Sequence, residues 1–279
     1  MLGLDASPSD CINVWVAGVV LAIIVVPLMT QMEIECGLQI IVSNKLEIDQ
    51  AAHFCKRDAL KLLIFFISVD FVFLLLHFLN DMDILLNSRL FSVEEDGGYS
   101  EMYQYLKWVL IIVLNIMLSL KTKAIGYLAW ATFFLYLLAD DSLQIHEKVG
   151  EFFAGFFNLS PFLGLRPQDY GELSVCILAG LIFSPLILWS YRSGSAEYKK
   201  VTLDLVMLIA LLVFFGVFVD MLHVVIELGS KVTWMLGALE DGGEMVSTSI
   251  ILWYSYLISL HKTRPNVFLY EYFSKWLAK

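Results

Sequence analysis

Three short stretches of the 279-residue chain concentrate the side chains that can do chemistry. Asp140, Asp141, His146 and Glu147 close an apolar run in LADDSLQIHEKVGE; Asp220, His223 and Glu227 lie in FVDMLHVVIELG; Glu240, Asp241 and Glu244 lie in LEDGGEM. A fourth set, Asp70, His77 and Asp81, recurs at i, i+7 and i+11 of another apolar run. Imidazole mixed with carboxylate suits zinc, and carboxylate-richer sets suit manganese or iron. The residues expected to hold such a divalent metal, zinc first, are His77, Asp140, His146, Glu147, Asp220, His223 and Glu227. Glu240 and Glu244 are the expected catalytic bases, taking a proton from metal-bound water. The Asp220-x-x-His223 pair also has the spacing of the Glu-x-x-His of carboxylate-bridged di-metal bundles.

Helical geometry decides which of these groups can meet. Asp220, His223 and Glu227 form one stripe at i, i+3 and i+7, and Glu240, Glu244 and Ser247 form another. Asp140 and Glu147 share a face if one helix runs through both, and His146 then points about 100° away. Asp70 stands near the middle of its apolar run, where an ionised carboxylate is costly unless protonated, paired or hydrated. Stacked with His77 and Asp81, it makes a proton or cation pathway the alternative to metal chemistry.

These groups need elements that can hold them in a membrane. The chain is 59% hydrophobic and 16% charged, with a mean hydropathy of +0.74, which cannot clothe a soluble surface. The apolar residues fall into runs long enough for a bilayer core: 12–30, 59–80, 104–120, 124–140, 171–191, 201–224 and 242–260. The expected architecture is an all-α, polytopic bundle of about seven transmembrane helices, one domain over 1–263, followed by an amphipathic cytoplasmic segment at 264–279. An outside N-terminus and inside C-terminus put 13 of the 18 Lys and Arg residues on the cytoplasmic side, as retention of basic residues requires. The expected location is a cell membrane, the inner membrane of a bacterium.

The connections carry further expectations. Gln31 to Asp58 has room for an inner amphipathic segment, with Cys36 and Cys55 as free thiols on the reducing side. Asp81 to Met102, with its EEDGG run, reads as a solvated outer loop, and NLSPFLGLRP as an interfacial or mouth-covering one. Pro185 is expected to kink the fifth span.

Seven helices invite comparison with rhodopsins, but the last span has no Lys for a Schiff base. In helix number and site chemistry the chain resembles the membrane zinc hydrolases of the alkaline ceramidase type. Their H-x-x-x-H pair has no counterpart here, where Glu240 and Glu244 stand instead. A net charge of −10 excludes nucleic acid as a partner and favours cations; the remaining partners are the lipid bilayer and a lipid-like substrate. Three functions are therefore compatible with the sequence: a metal-dependent hydrolase of a lipid-like substrate, a cation or proton channel, transporter or sensor, and a structural or partner-binding membrane subunit. In the last, Lys107 and Lys148 merely neutralise the acids.

Overall fold

The computed structural model describes residues 45–82, 89–95, 97–225 and 229–260, with side chains for 59–82, 90–95, 97–225 and 235–260. The expected first span, the 264–279 segment and Glu227 lie outside the described residues. Among the described residues the chain is helical and has no strand. We label the helices α1 (Lys45–Asp81), α2 (Tyr99–Thr122), α3 (Gly126–Leu143), α4 (Ile145–Phe156), α5 (Pro167–Ser193), α6 (Ala196–Val225) and α7 (Gly229–Leu260). Four segments, Ala59–Asp81, Tyr99–Thr122, Pro167–Ser193 and Ala196–Val225, are long and apolar enough to cross a membrane.

Burial follows the inverted logic of a bilayer protein. On α1 the inward stripe is Ala59, Phe66, Asp70 and His77, while Phe65, Phe71 and Leu75 face out. These spacings of seven and four are the helical repeat. Apolar surface of this extent would be a liability in water, and in lipid it is the solvent-facing side. The core is built mainly from α2, α3 and α7, with Trp108, Trp130 and Phe134 stacked in series and Tyr254 and Tyr256 fully buried. The buried side of α7 is also polar, carrying Ser247, Thr248, Ser249 and Ser255.

A buried ion pair ties three helices together. The Lys107 ammonium on α2 donates to Asp70 Oδ1 of α1 at 3.0 Å and to the Met245 carbonyl of α7 at 2.8 Å. Ser249 donates to the other Asp70 oxygen at 2.6 Å, and the Tyr103 ring lies 4.5 Å from the ammonium. Both charged side chains are 0% exposed. The anomaly of Asp70 in the sequence is thus resolved by pairing.

Three local departures from regular helix shape the carboxylate-bearing end. First, α3 and α4 are not one helix. Gln144 takes a left-handed conformation (φ 53°, ψ 48°) and its N–H returns to the carbonyls of Asp140 and Asp141, turning the chain before Ile145. The expectation that Asp140 and Glu147 share one helical face is therefore overturned. Second, α4 folds back on α5 through a glycine crossing, where a Cβ on Gly171 would stand 2.0 Å from the Gly150 carbonyl oxygen. The link between them is held by the Phe162–Leu165 bridge, and α5 opens on Pro167 with the Arg166 N–H bonded to Asp169 at 2.6 Å. Third, α6 widens to a π-helical turn over Phe214–Val219, just before Asp220. Pro185 lies inside α5, which remains one helix from Pro167 to Ser193. The expected amphipathic connection before the second span is absorbed, from Lys45 on, into α1.

Candidate functional site: a carboxylate-lined cavity

The three departures open a cavity of about 460 Å³ between α2, α3, α4, α5, α6 and α7. Asp140, Asp141, His146, Glu147, Asp220, Glu240, Asp241 and Glu244 all line it. Glu94, Glu95, Glu101 and Glu172 join them, so among the described residues eleven carboxylates and one histidine face the same space, and no Lys or Arg lines it. One wall comes from α3, α4 and α5, the opposite wall from α6 and α7, and the rim from the segment before α2.

Gln144 explains the position of His146. With the chain turned there, the His146 backbone N–H donates to Asp140 Oδ1 at 3.0 Å and its ring Nδ1 meets Asp140 Oδ2 at 3.0 Å. Asp141 accepts from the Trp108 indole at 2.7 Å. On the opposite wall, His223 Nδ1 lies 3.1 Å from Glu240 Oε2, so His223 reaches the site through its carboxylate partner. The Glu244 carboxylate rests on the π-helical turn: a Cβ on Gly216 would be 1.9 Å from Glu244 Oε1. A π-turn beside a functional pocket is a recurrent arrangement.

Among the described residues no three His, Cys, Asp or Glu side chains form a group able to hold a metal ion. His77 is occupied otherwise: its Nδ1 receives the Val93 N–H at 3.4 Å and lies 3.2 Å from the Ser92 hydroxyl. A backbone N–H can only donate, so Nδ1 keeps its lone pair for Val93. Nε2 then carries the proton, 3.9 Å from Glu94 Oε1. In this arrangement neither ring nitrogen offers a lone pair to a metal. Of the proposed pathway set, Asp70 is locked to Lys107 and Ser249, His77 is buried, and Asp81 is exposed at the end of α1.

Residues 62–260 match the family described as Domain of unknown function (DUF8692). The chain belongs to the DUF8692 family. No curated protein and no solved structure matches it. Every residue lining the cavity, and the Asp70–Lys107 pair beside it, falls inside the DUF8692 match.

Two lining residues of the DUF8692 region escape a reading of the sequence. Glu172 follows a single turn after the start of α5, where an acid near a helix N-terminus is ordinary. Gln104 is an uncharged residue on α2, and only its bond to Thr248, 144 positions away, marks it.

The His146–Asp140 pair makes stability pH-dependent. Burial opposes the charged imidazole, but the hydrogen bond and charge of Asp140, aided by Glu147 and Glu172, prevail and raise its pKa from 6.5 to about 9. A raised histidine pKa stabilises the folded state fully below the unfolded value and loses that contribution as pH rises through the folded one. The wild type is therefore expected to exceed His146→Gln in stability by about 1 kcal/mol below pH ~6.5, allowing for the partly solvated ring. That gap should close as pH passes ~9. Thermal melts of both proteins in detergent from pH 6 to 10 check this; a gap that widens with pH contradicts the pairing.

Proposed function

We propose that the protein is a cation transporter: a bundle of about seven transmembrane helices, N-terminus outside, that takes cations from the outer side into the carboxylate-lined cavity. The observation that carries this reading is the composition of the wall, which among the described residues has eleven carboxylates and no Lys or Arg. Self-repulsion among so many acids is relieved either by protonation or by a bound cation. Charged groups at membrane depth mark ion and proton routes.

The polar side of α7 extends the route. From Glu244 it passes Thr248, then the Lys107–Asp70–Ser249 cluster, then Ser255, and reaches Tyr254, which donates to Asp204 at 2.6 Å. The fixed Lys107 ammonium stands on this line and repels any cation approaching it. A permanently open channel is therefore disfavoured, and passage requires the Lys107–Asp70 pair to part, as in alternating access. The test is flux into proteoliposomes under gradients of H⁺, Na⁺ and Mg²⁺. Glu244→Gln is expected to cut the flux carried by wild type at least about tenfold, a loss of roughly 1.4 kcal/mol in transition-state binding. Wild type that neither binds nor moves any cation overturns the reading.

A metal-dependent hydrolase acting on a lipid-like substrate is the second reading. What favours it is that His146 and His223 each have Nδ1 against a carboxylate, the outer partner that metal-binding histidines carry. Glu240 or Glu244 would then be the base. Elemental analysis of chelator-free wild type beside His223→Ala decides it: stoichiometric zinc, iron or manganese lost in the variant supports the hydrolase, and metal-free wild type removes it.

A further inference from the structure

We infer that the cation this cavity takes is a linear organic polyammonium, an alkyl di- or triamine, held in part by the Gln104 carbonyl. The inference rests on the cation reading above and names the ligand class of that site.

Gln104 supplies the observation independent of the acids. It lines the cavity, is only 6% exposed, and its Oε1 has no hydrogen-bond partner among the described residues. The orientation of its amide follows from its neighbour. The Thr248 hydroxyl spends its proton on the Glu244 carbonyl at 2.9 Å, so toward Gln104 it can only accept. The contact at 3.1 Å is then Gln104 Nε2 donating to Thr248 Oγ1, which leaves the carbonyl oxygen as an acceptor with no donor. A buried acceptor left so is costly. A ligand N–H satisfies it, and an ammonium does so with charge assistance.

The layout of the acids chooses among cations. A bare divalent ion needs several oxygens converging within about 2.0–2.6 Å, and among the described residues no group of three converges. The carboxylates are instead spread over six helices and the segment before α2. Separate negative charges suit separate positive charges on one molecule. Glu240 and Glu244 on α7 stand four residues apart, ~6 Å along the axis, a span that a short alkyl linker between two amines covers. Between the acids the wall is apolar, with Leu137, Leu173, Leu212, Val217, Met221 and Met245, which a bare or hydrated metal ion does not use and methylene groups do. The cavity, about 460 Å³, falls within the range of roughly 300–1,000 Å³ for organic ligands.

The experiment is calorimetric titration of the full chain in nanodiscs with spermidine, n-butylamine and Mg²⁺, repeated on two variants. Spermidine is expected to bind at least about tenfold tighter than n-butylamine or Mg²⁺. Gln104→Leu, which has no accepting oxygen, should weaken spermidine about fivefold or more, and Gln104→Glu, which keeps one, should bind it at least as tightly as wild type. A melting temperature for each variant separates loss of binding from loss of fold, and Gln104→Glu carries the test if Gln104→Leu does not fold. Mg²⁺ or n-butylamine binding as tightly as spermidine, or weakened spermidine binding by Gln104→Glu in a folded protein, overturns the polyammonium assignment while the cation cavity stands. Absence of binding by all three probes, together with absence of flux, removes the cation reading itself.

Discussion

Lys107→Met should destabilise the protein by about 3–5 kcal/mol, because it leaves the Asp70 carboxylate buried without its counter-charge. The ammonium is 3.0 Å from Asp70 Oδ1 and both side chains are fully enclosed, so no water can take its place. Asp70→Asn should be nearly as harmful, since it leaves the buried ammonium with neutral partners only and no counter-charge. The double variant Lys107→Met with Asp70→Leu is expected to recover most of the loss, because an apolar pair needs no compensation in this setting. Denaturant titration in detergent, with expression level as a second readout, measures all three. Single variants as stable as wild type would mean that water reaches the pair.

Gly171→Ala is the second large effect expected. The added methyl would meet the Gly150 carbonyl oxygen at 2.0 Å and its carbon at 2.6 Å, and both are backbone atoms that no rotamer change can move. α4 has to shift off α5, at about 1–3 kcal/mol for overpacking of this kind. His146 and Glu147 ride on α4 and Glu172 on α5, so the same shift opens one wall of the cavity and should weaken cation binding. Gly180→Ala is the control on the same helix: nothing lies within 4 Å of its Cβ position, and it should be neutral or stabilising by up to about 1 kcal/mol. Paired melts and binding curves settle the comparison; equal behaviour of the two variants would refute the close crossing.

Hydropathy made the helical membrane class legible, and the helical repeat made Asp70 and His77 legible as inward residues of α1. What failed were phase and partnership. The repeat carries from Asp140 to Glu147 only if the helix is unbroken, and the break is at Gln144, a residue that rarely takes a left-handed conformation and gives no warning as Gly or Asn would. Asp220, Glu240 and Glu244 line one cavity, since acids at the ends of neighbouring apolar runs come together where the runs pack side by side. His77 was not separable from His146 and His223 by type or level. Its role depends on Val93, whose N–H is aimed by the 3-10 turn at Arg89–Phe91 and the residues after it. Glu172 and Gln104 lacked any local signal, because their meaning lies in contacts between distant segments.

The Lys107–Asp70 pair also has a history during synthesis. A lysine near the centre of a helix adds roughly 2.5–3.5 kcal/mol to the cost of its lateral release into lipid from the insertion machinery. The two partners sit on consecutive helices, α1 and α2, so α1 is already made and waiting when Lys107 emerges. Ser249 and the Met245 carbonyl arrive only with α7, near the end of the described chain. The two helices can thus leave the translocon as a neutral pair, and their charge stays half-dressed until α7 closes over it.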